Sequence, residues 1–192
     1  MTRFWSSFGP KRTVAAAMLL ALGGACLPNP VHDRAVERLG PETANGPSGF
    51  HRAGQPCATC HQADGPADTD FSIAGTVFAS TTSLVGVDGA TIQLVDSAGT
   101  SPPATKPIVT NCVGNFAILR SEWDPAFPVL VRVTKNGVTR TMNTSIGRAA
   151  SCSDCHVTKP ADPLTKVGPV TLFTGPDPAG PRKDCPVDPE AR

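Results

Sequence analysis

The chain has 192 residues, of which 40 % are hydrophobic and 17 % are charged, with 20 Pro, 18 Gly and no Tyr. This length allows one domain with appendages or two small domains, and this composition favours a loop-rich, mainly β protein over a helical bundle. The formal net charge of +1 excludes a strongly basic nucleic-acid-binding protein.

The first 25 residues have the organisation of an export signal. Arg3, Lys11 and Arg12 form a positively charged start. Residues 13–22 form an apolar segment that is shorter than the roughly 20 residues needed to span a bilayer. We therefore predict that residues 1–25 are a signal peptide and that the protein is exported.

Cys26 follows three small residues, and this stretch resembles the bacterial lipobox, in which the Cys is lipidated and becomes the new N-terminus. The match is imperfect, because Leu22 lies one position too early. The alternative is an ordinary cleavage site followed by an unpaired Cys. Cleavage before Cys26 removes three of the 17 basic residues and none of the 16 acidic residues, so the mature chain is expected to be mildly acidic. A lipid on Cys26 would anchor the protein at the periplasmic or outer surface of a membrane.

Residues 26–49 are predicted to form a tether with one short helix at about 30–39. Asn29 and Pro30 suit the N-cap and the first helical position, and Gly40 suits the end of the helix.

Two five-residue stretches share the pattern C-x-x-C-H, and each lies in a predicted helical segment. The first CxxCH motif is residues 57–61, within a segment at 50–70, and the second is residues 152–156. This pattern is the attachment site of a c-type haem: two thiols one turn apart react with the haem vinyl groups, and the next His binds the iron. Since only 4 of the 192 residues are His, a His follows a C-x-x-C by chance in about 2 % of cases. The sequence therefore predicts two covalent haems, on Cys57, Cys60, Cys152 and Cys155, with His61 and His156 as the proximal ligands.

A zinc site is the alternative for the same four cysteines, since four thiolates can form a tetrahedral site. Zinc gives no reason for a His after each pair, and export disfavours thiolate zinc sites.

Alternating patterns between residues 71 and 146 predict a small antiparallel β-sandwich of roughly 75 residues. The expected strands are 73–79, 90–95, 106–111, 115–119, 128–134 and 138–142, with turns at 96–99 and at Asn136-Gly137. The predicted fold class is thus mainly β, with the sandwich flanked by the two short haem-attachment segments.

The order AGTV, VDGATIQLVD, TNCVGNFAI, PVLVRVTKNGVTRTM resembles the carboxypeptidase-regulatory-like, transthyretin-like β-sandwich. Residues 110–116 carry its Thr-x-x-x-Gly-x-Phe element. The resemblance covers residues 71–146 and implies the fold, but it carries no catalytic residue. The whole arrangement resembles exported bacterial dihaem c-type proteins in which CxxCH motifs bracket such a sandwich. That resemblance supports covalent haem attachment and export, but it does not indicate which redox partner the protein has.

Residues 147–192 carry the second motif and a Pro-rich tail, in which only 167–173 has the pattern of a strand. Cys112 and Cys185 are the cysteines left over. In an exported protein they most simply form one disulfide, and two free thiols are the alternative.

The remaining iron ligands of the mature chain are His32, His51 and Met142. His51 lies six residues before the first motif and Met142 ten residues before the second, so each is a candidate distal ligand for one haem. The alternatives are a surface loop for His51 and core packing for Met142. His32 is expected on the surface of the short helix. One bis-His haem and one His/Met haem would differ in reduction potential.

Three functions of different classes are consistent with this sequence. The favoured one is an electron carrier at a bacterial membrane surface, with six-coordinate haems and redox partner proteins, rather than an enzyme. The second is a small-ligand sensor or peroxidase-like protein with an open sixth position. The third is a binding module in which haem is structural. The chain lacks a Gly-x-Ser-x-Gly elbow and a phosphate-binding glycine loop.

Overall fold

A computed structural model describes residues 29–42, 48–158 and 167–180. The predicted signal peptide, Cys26 and Cys185 lie outside these residues. The chain divides into two compact units, Met1–Arg34 and Ala35–Arg192. None of the helices in the described ranges is both long enough and apolar enough to cross a membrane.

The predicted short helix is present as α1, Pro30–Arg38. Its start is capped as expected, because the side-chain oxygen of Asn29 accepts a 3.2 Å hydrogen bond from the backbone N–H of His32. Gly40 follows the helix with a φ of +71°, a conformation that glycine adopts at little cost. The side chain of His32 is 12 % exposed, and the helix has no fully buried residue.

The protein is mainly β, with antiparallel sheets, as predicted. The eight strands are β1 Phe71–Thr76, β2 Phe78–Ser80, β3 Ser83–Gly86, β4 Thr91–Val95, β5 Ile108–Val109, β6 Asn115–Leu119, β7 Leu130–Lys135 and β8 Val138–Thr141. β1 pairs with β6, β2 pairs with β3, and the other four strands form a sheet in the order β5-β4-β7-β8.

Side chains from the β1–β6 pair and from the four-stranded sheet share one hydrophobic core. Ile73 and Ile118 come from the β1–β6 pair, and Ile92 and Val133 come from the four-stranded sheet. Leu172, from the tail, is fully buried in the same core. The tail segment 167–180 is therefore part of the folded unit, and its backbone bonds to β2 at Phe78 and Ala79.

The strand predicted at 73–79 is two strands in the structure. The amide N–H of Val77 bonds to the carbonyl of Gly114, and that of Phe78 bonds to the carbonyl of Val170. The chain thus changes partner at this point, which ends β1 and starts β2. A side chain on Gly114 would overlap the carbonyl of Val77, so the close approach of the two backbones requires glycine there.

Two other predictions differ from the structure. β3 was not predicted, because its connection to β2 through Thr81 and Thr82 lacks the Gly, Asn, Asp or Pro that marks a turn. The tail at 167–173 forms isolated bridges, from Val167 to His156 and from Thr171 to Phe78, instead of a strand.

Candidate functional site

The two CxxCH motifs have the same backbone conformation. Each begins with a single 3₁₀ turn, Cys57–Thr59 in the first and Cys152–Asp154 in the second. In the first turn the carbonyl of Cys57 accepts the N–H groups of Cys60 (3.1 Å) and His61 (2.9 Å). In the second turn Cys152, Cys155 and His156 make the same two bonds, at 3.2 and 2.8 Å. The backbone that carries the two thiols and the following imidazole is therefore held by the same hydrogen bonds at both motifs.

The two turns contact each other although 93 residues separate them. The amide N–H of Ala58, inside the first motif, donates a 2.7 Å hydrogen bond to the hydroxyl oxygen of Ser151, next to the second. Ala74 in β1 holds the second motif from its other side, because its amide donates to the carbonyl of Ala150 at 2.8 Å. A Cβ atom on Gly75 would lie 2.5 Å from the Sγ of Cys152, so β1 and the second turn are in close contact.

Burial raises the pKa of the Cys57 thiol to about 11 and that of the Cys152 thiol to about 12, and the charge of Asp154 adds to both shifts. Burial also raises the pKa of Cys60. Within the described ranges no three His, Cys, Asp or Glu side chains converge on a metal-sized site. Zinc binding by the four motif cysteines therefore stays an alternative prediction.

His61 is held in one orientation by two neighbours. Its Nδ1 lies 2.7 Å from the hydroxyl of Thr69, and its ring stacks on that of Phe71 with centroids 4.1 Å apart. Within the described residues its Nε2 has no hydrogen-bond partner. Burial lowers the pKa of His61, which favours the neutral form that binds metal ions. An engaged Nδ1 and a free Nε2 are typical of an imidazole that binds iron.

His51 lies beside His61, with the two ring centroids 6.0 Å apart. The two rings are stacked, with an angle of 29° between their planes. The Nδ1 of His51 accepts a 3.4 Å hydrogen bond from the amide of Ser48 and lies 3.7 Å from the carboxylate of Glu42. The structure thus brings the predicted distal ligand to the predicted proximal one.

Asparagine side chains of β6 and the loop before it fix the loop that carries His51. The amide group of Asn115 donates to the carbonyl of His51 at 2.9 Å, and that of Asn111 donates to the carbonyl of Gly49. The carbonyl oxygen of Asn115 accepts the hydroxyl of Thr76 at 2.7 Å. These bonds tie the position of His51 to the β1–β6 pair.

A cavity of about 720 Å³ opens at the first motif. Its walls include both thiols, Cys57 and Cys60, and both imidazoles, His51 and His61. Phe71 and Phe116 belong to the apolar part of the lining. This volume lies in the range of about 300–1,000 Å³ that is typical of cofactor sites. The donor set, the free Nε2 of His61 and the cavity therefore fit a c-type haem at the first motif.

The second motif is supported by the tail. The Nδ1 of His156 lies 2.9 Å from the carbonyl of Gly168, and Val167 exchanges backbone hydrogen bonds with the chain at Cys155 and Val157. His156 is thus oriented like His61, with Nδ1 engaged. Cys155 is exposed, unlike the other motif cysteines.

Met142 lies directly after β8, the outer strand of the four-stranded sheet, and its amide donates to the carbonyl of Val131 at 3.0 Å. The second motif packs on β1 instead. The described contacts do not bring Met142 to His156, and its role as an iron ligand stays a prediction.

Cys112 is disulfide-bonded, and the four motif cysteines are free. Its partner therefore lies outside the described residues. The predicted pairing with Cys185 stays a prediction.

Sequence reasoning missed the residues that support the site. Ser151, Gly75, Thr69 and Gly168 belong to no motif, and their roles depend on contacts across the fold. Only the position of Ser151 directly before Cys152 could have drawn attention to it.

Comparison with known proteins identifies no relative of this chain. No family model matches it, and no curated protein or solved structure gives a significant match. The assignment of a function therefore rests on the two motifs and on the geometry around them.

Proposed function

We propose that the protein is an exported dihaem c-type protein that carries electrons at a bacterial membrane surface. The observation that carries this proposal is the duplicated turn. Both motifs present two thiols and an imidazole in the same conformation, with the imidazole Nδ1 engaged. The proposed fold is a transthyretin-like β-sandwich with one attachment turn before its first strand and one after its last.

The residues of each motif have distinct roles in this proposal. Thioethers at Cys57 and Cys60, and at Cys152 and Cys155, hold the two haems covalently. A bound haem supplies a one-electron Fe(III)/Fe(II) couple. The acceptors on Nδ1, Thr69 and the carbonyl of Gly168, fix the ring tautomer of each proximal His and raise its basicity as an iron ligand.

His51 is the proposed distal ligand of the first haem. Its ring lies on the cavity wall together with His61, and Asn115 fixes its backbone. Saturation of the first iron by two imidazoles favours electron transfer over ligand binding, because no coordination position is left for a small molecule. Met142 is the proposed distal ligand of the second haem, which would give that haem the higher reduction potential.

Membrane attachment is proposed through a lipid on Cys26, after removal of residues 1–25. The mildly acidic mature chain would favour redox partner proteins whose docking surfaces are basic. The proposed location is the periplasmic or outer surface of a membrane.

A second candidate function is favoured by one observation at the second motif. Within the described residues His51 is the histidine that lies beside His61, and His156 has no such neighbour. A second haem without a distal ligand would bind a small ligand such as a diatomic gas or peroxide. The protein would then be a sensor or a peroxidase-like protein.

Carbon monoxide binding to the reduced holoprotein separates the two functions. The carrier is expected to show no rapid carbon monoxide binding, because both irons are six-coordinate. Rapid binding of one carbon monoxide per protein would contradict the carrier and favour the sensor. A redox titration of the same sample is expected to show two one-electron transitions.

A further inference from the structure

Ser151 connects the two attachment turns directly. It is 1 % exposed, and its hydroxyl accepts the 2.7 Å hydrogen bond from the amide of Ala58. Ser151 also forms a parallel bridge with Ala74 of β1. The Ser151 side chain thus contacts the first motif. Its backbone bridges to β1, on which the second motif packs.

Gly75 provides the space for this arrangement. A Cβ atom there would meet the Sγ of Cys152 at 2.5 Å and its Cβ at 2.8 Å, and real Cβ atoms essentially never make contacts this short. The next residue, Thr76, accepts a 2.8 Å hydrogen bond from the amide of Gly54, just before the first motif. Two adjacent residues of β1 therefore contact the two attachment segments.

The two motifs are thus held as one unit rather than on independent arms. We propose that Ser151 and Gly75 are positioning residues that keep the two attachment turns in contact, so that the two bound haems are coupled and the oxidation state of one changes the reduction potential of the other. This inference rests on the proposed function, because it requires a haem at each motif.

The physical basis of the coupling is electrostatic. Each reduction adds one electron to one ferric iron and removes one positive charge from its surroundings. Between partly buried groups, charges interact more strongly than in water, because the local dielectric is lower. An electron on one haem therefore makes the addition of the next electron less favourable, and this effect decreases as the turns move apart.

The experiment first compares the wild type with three variants, by intact mass and by redox titration with dithionite. The wild type and Ser151→Ala test the hydrogen bond, and Ser151→Thr retains the hydroxyl. Ser72→Ala is the matched control, since it removes another fully buried serine hydroxyl, one that bonds within the β1–β6 pair at 3.3 Å. A fifth protein, with Cys152 and Cys155 changed to Ser, carries only the first haem and reports its uncoupled potential.

Coupling predicts that the first haem has a different potential in the wild type than in the single-haem protein. Ser151→Ala should move that potential towards the uncoupled value, and Ser151→Thr and Ser72→Ala should leave it near the wild-type value. Equal potentials in the dihaem and single-haem proteins, or no change in a Ser151→Ala protein that retains two haems, would overturn the inference. A wild-type mass without two haems would instead refute the proposed function.

Discussion

The backbone amide of Ala58 donates a 2.7 Å hydrogen bond to the hydroxyl of Ser151, and this bond joins the two CxxCH turns across 93 residues of sequence. Both turns also pack on β1, which lies between them in the sequence. Two motifs that look like separate attachment sites in the sequence are therefore neighbours in the fold.

Substitution of Gly75 should disturb the second motif selectively. In Gly75→Ala the new methyl group overlaps the Sγ of Cys152, so we expect the second turn to be displaced and haem attachment to fall there. Intact mass should then show mainly single-haem protein. Gly147→Ala is the control, because a Cβ at that position meets no atom within 4 Å. Complete attachment of two haems in Gly75→Ala would show that the contact is not required.

Replacement of His51 should open a coordination position on the first haem. His51→Ala leaves the cavity wall at His61 intact but removes the second imidazole. We expect the reduced variant to bind one more carbon monoxide per protein than the wild type does. His32→Ala, on α1, is the control and should bind no more than the wild type. An unchanged stoichiometry in His51→Ala would mean that another residue binds that iron.

Much of the fold could be predicted because local patterns determine it. β6 has the predicted bounds, Asn115–Leu119, and the hairpin between β7 and β8 follows from Asn136 and Gly137. Both of these residues have positive φ values, 49° and 76°, as this type of turn requires. The Asp96 turn after β4 has the same local origin, since Gly99 donates to the carbonyl of Asp96 at 3.0 Å.

The division of the first strand could not be predicted, because it depends on distant partners. Val77 bonds to Gly114 and Phe78 to Val170, and no local pattern encodes either pairing. The contacts around the site were equally unpredictable, because they too depend on residues far apart in the sequence. The spacing of Cys57, Cys60 and His61 follows from the sequence, but the contact of Ser151 with Ala58 depends on how β1 and the tail pack.

Asp96 should make the stability of the fold depend on pH. Its carboxylate accepts hydrogen bonds from the amides of Ala98 and Thr100 and the hydroxyl of Thr100, and from the amide of Ala126. Hydrogen bonding, first from Thr100, lowers the pKa of Asp96 below its ordinary value of 3.8. Because the folded pKa is lowered, the stabilisation is present above pH 3.8 and is lost as the pH falls through the folded value.

Urea unfolding of the wild type and Asp96→Asn over a pH series measures this effect. At neutral pH the variant should unfold at a lower urea concentration, and the difference should shrink below pH 3.8. Asp64→Asn, which removes an exposed carboxylate, is the control. A gap between the wild type and Asp96→Asn that does not vary with pH would exclude this role for the carboxylate.

Phe78 should contribute strongly to stability, because its large side chain is almost fully buried. Its side chain is 2 % exposed, and its ring borders Gly54, which also borders Thr158. Phe78→Ala should lower the free energy of unfolding by about 3–5 kcal/mol, as measured by urea denaturation. Val85→Ala, at a position that is 40 % exposed, should cost much less. Similar losses in the two variants would show that Phe78 is not part of a packed core.

Intact-mass spectrometry of the protein expressed with a c-type haem maturation system tests the central claim most directly. The account predicts the mass of the mature chain plus two haems. Changing Cys57 and Cys60 to Ser, or Cys152 and Cys155 to Ser, should each remove one haem. A mature chain that carries no covalent haem in the presence of the maturation system would contradict the account.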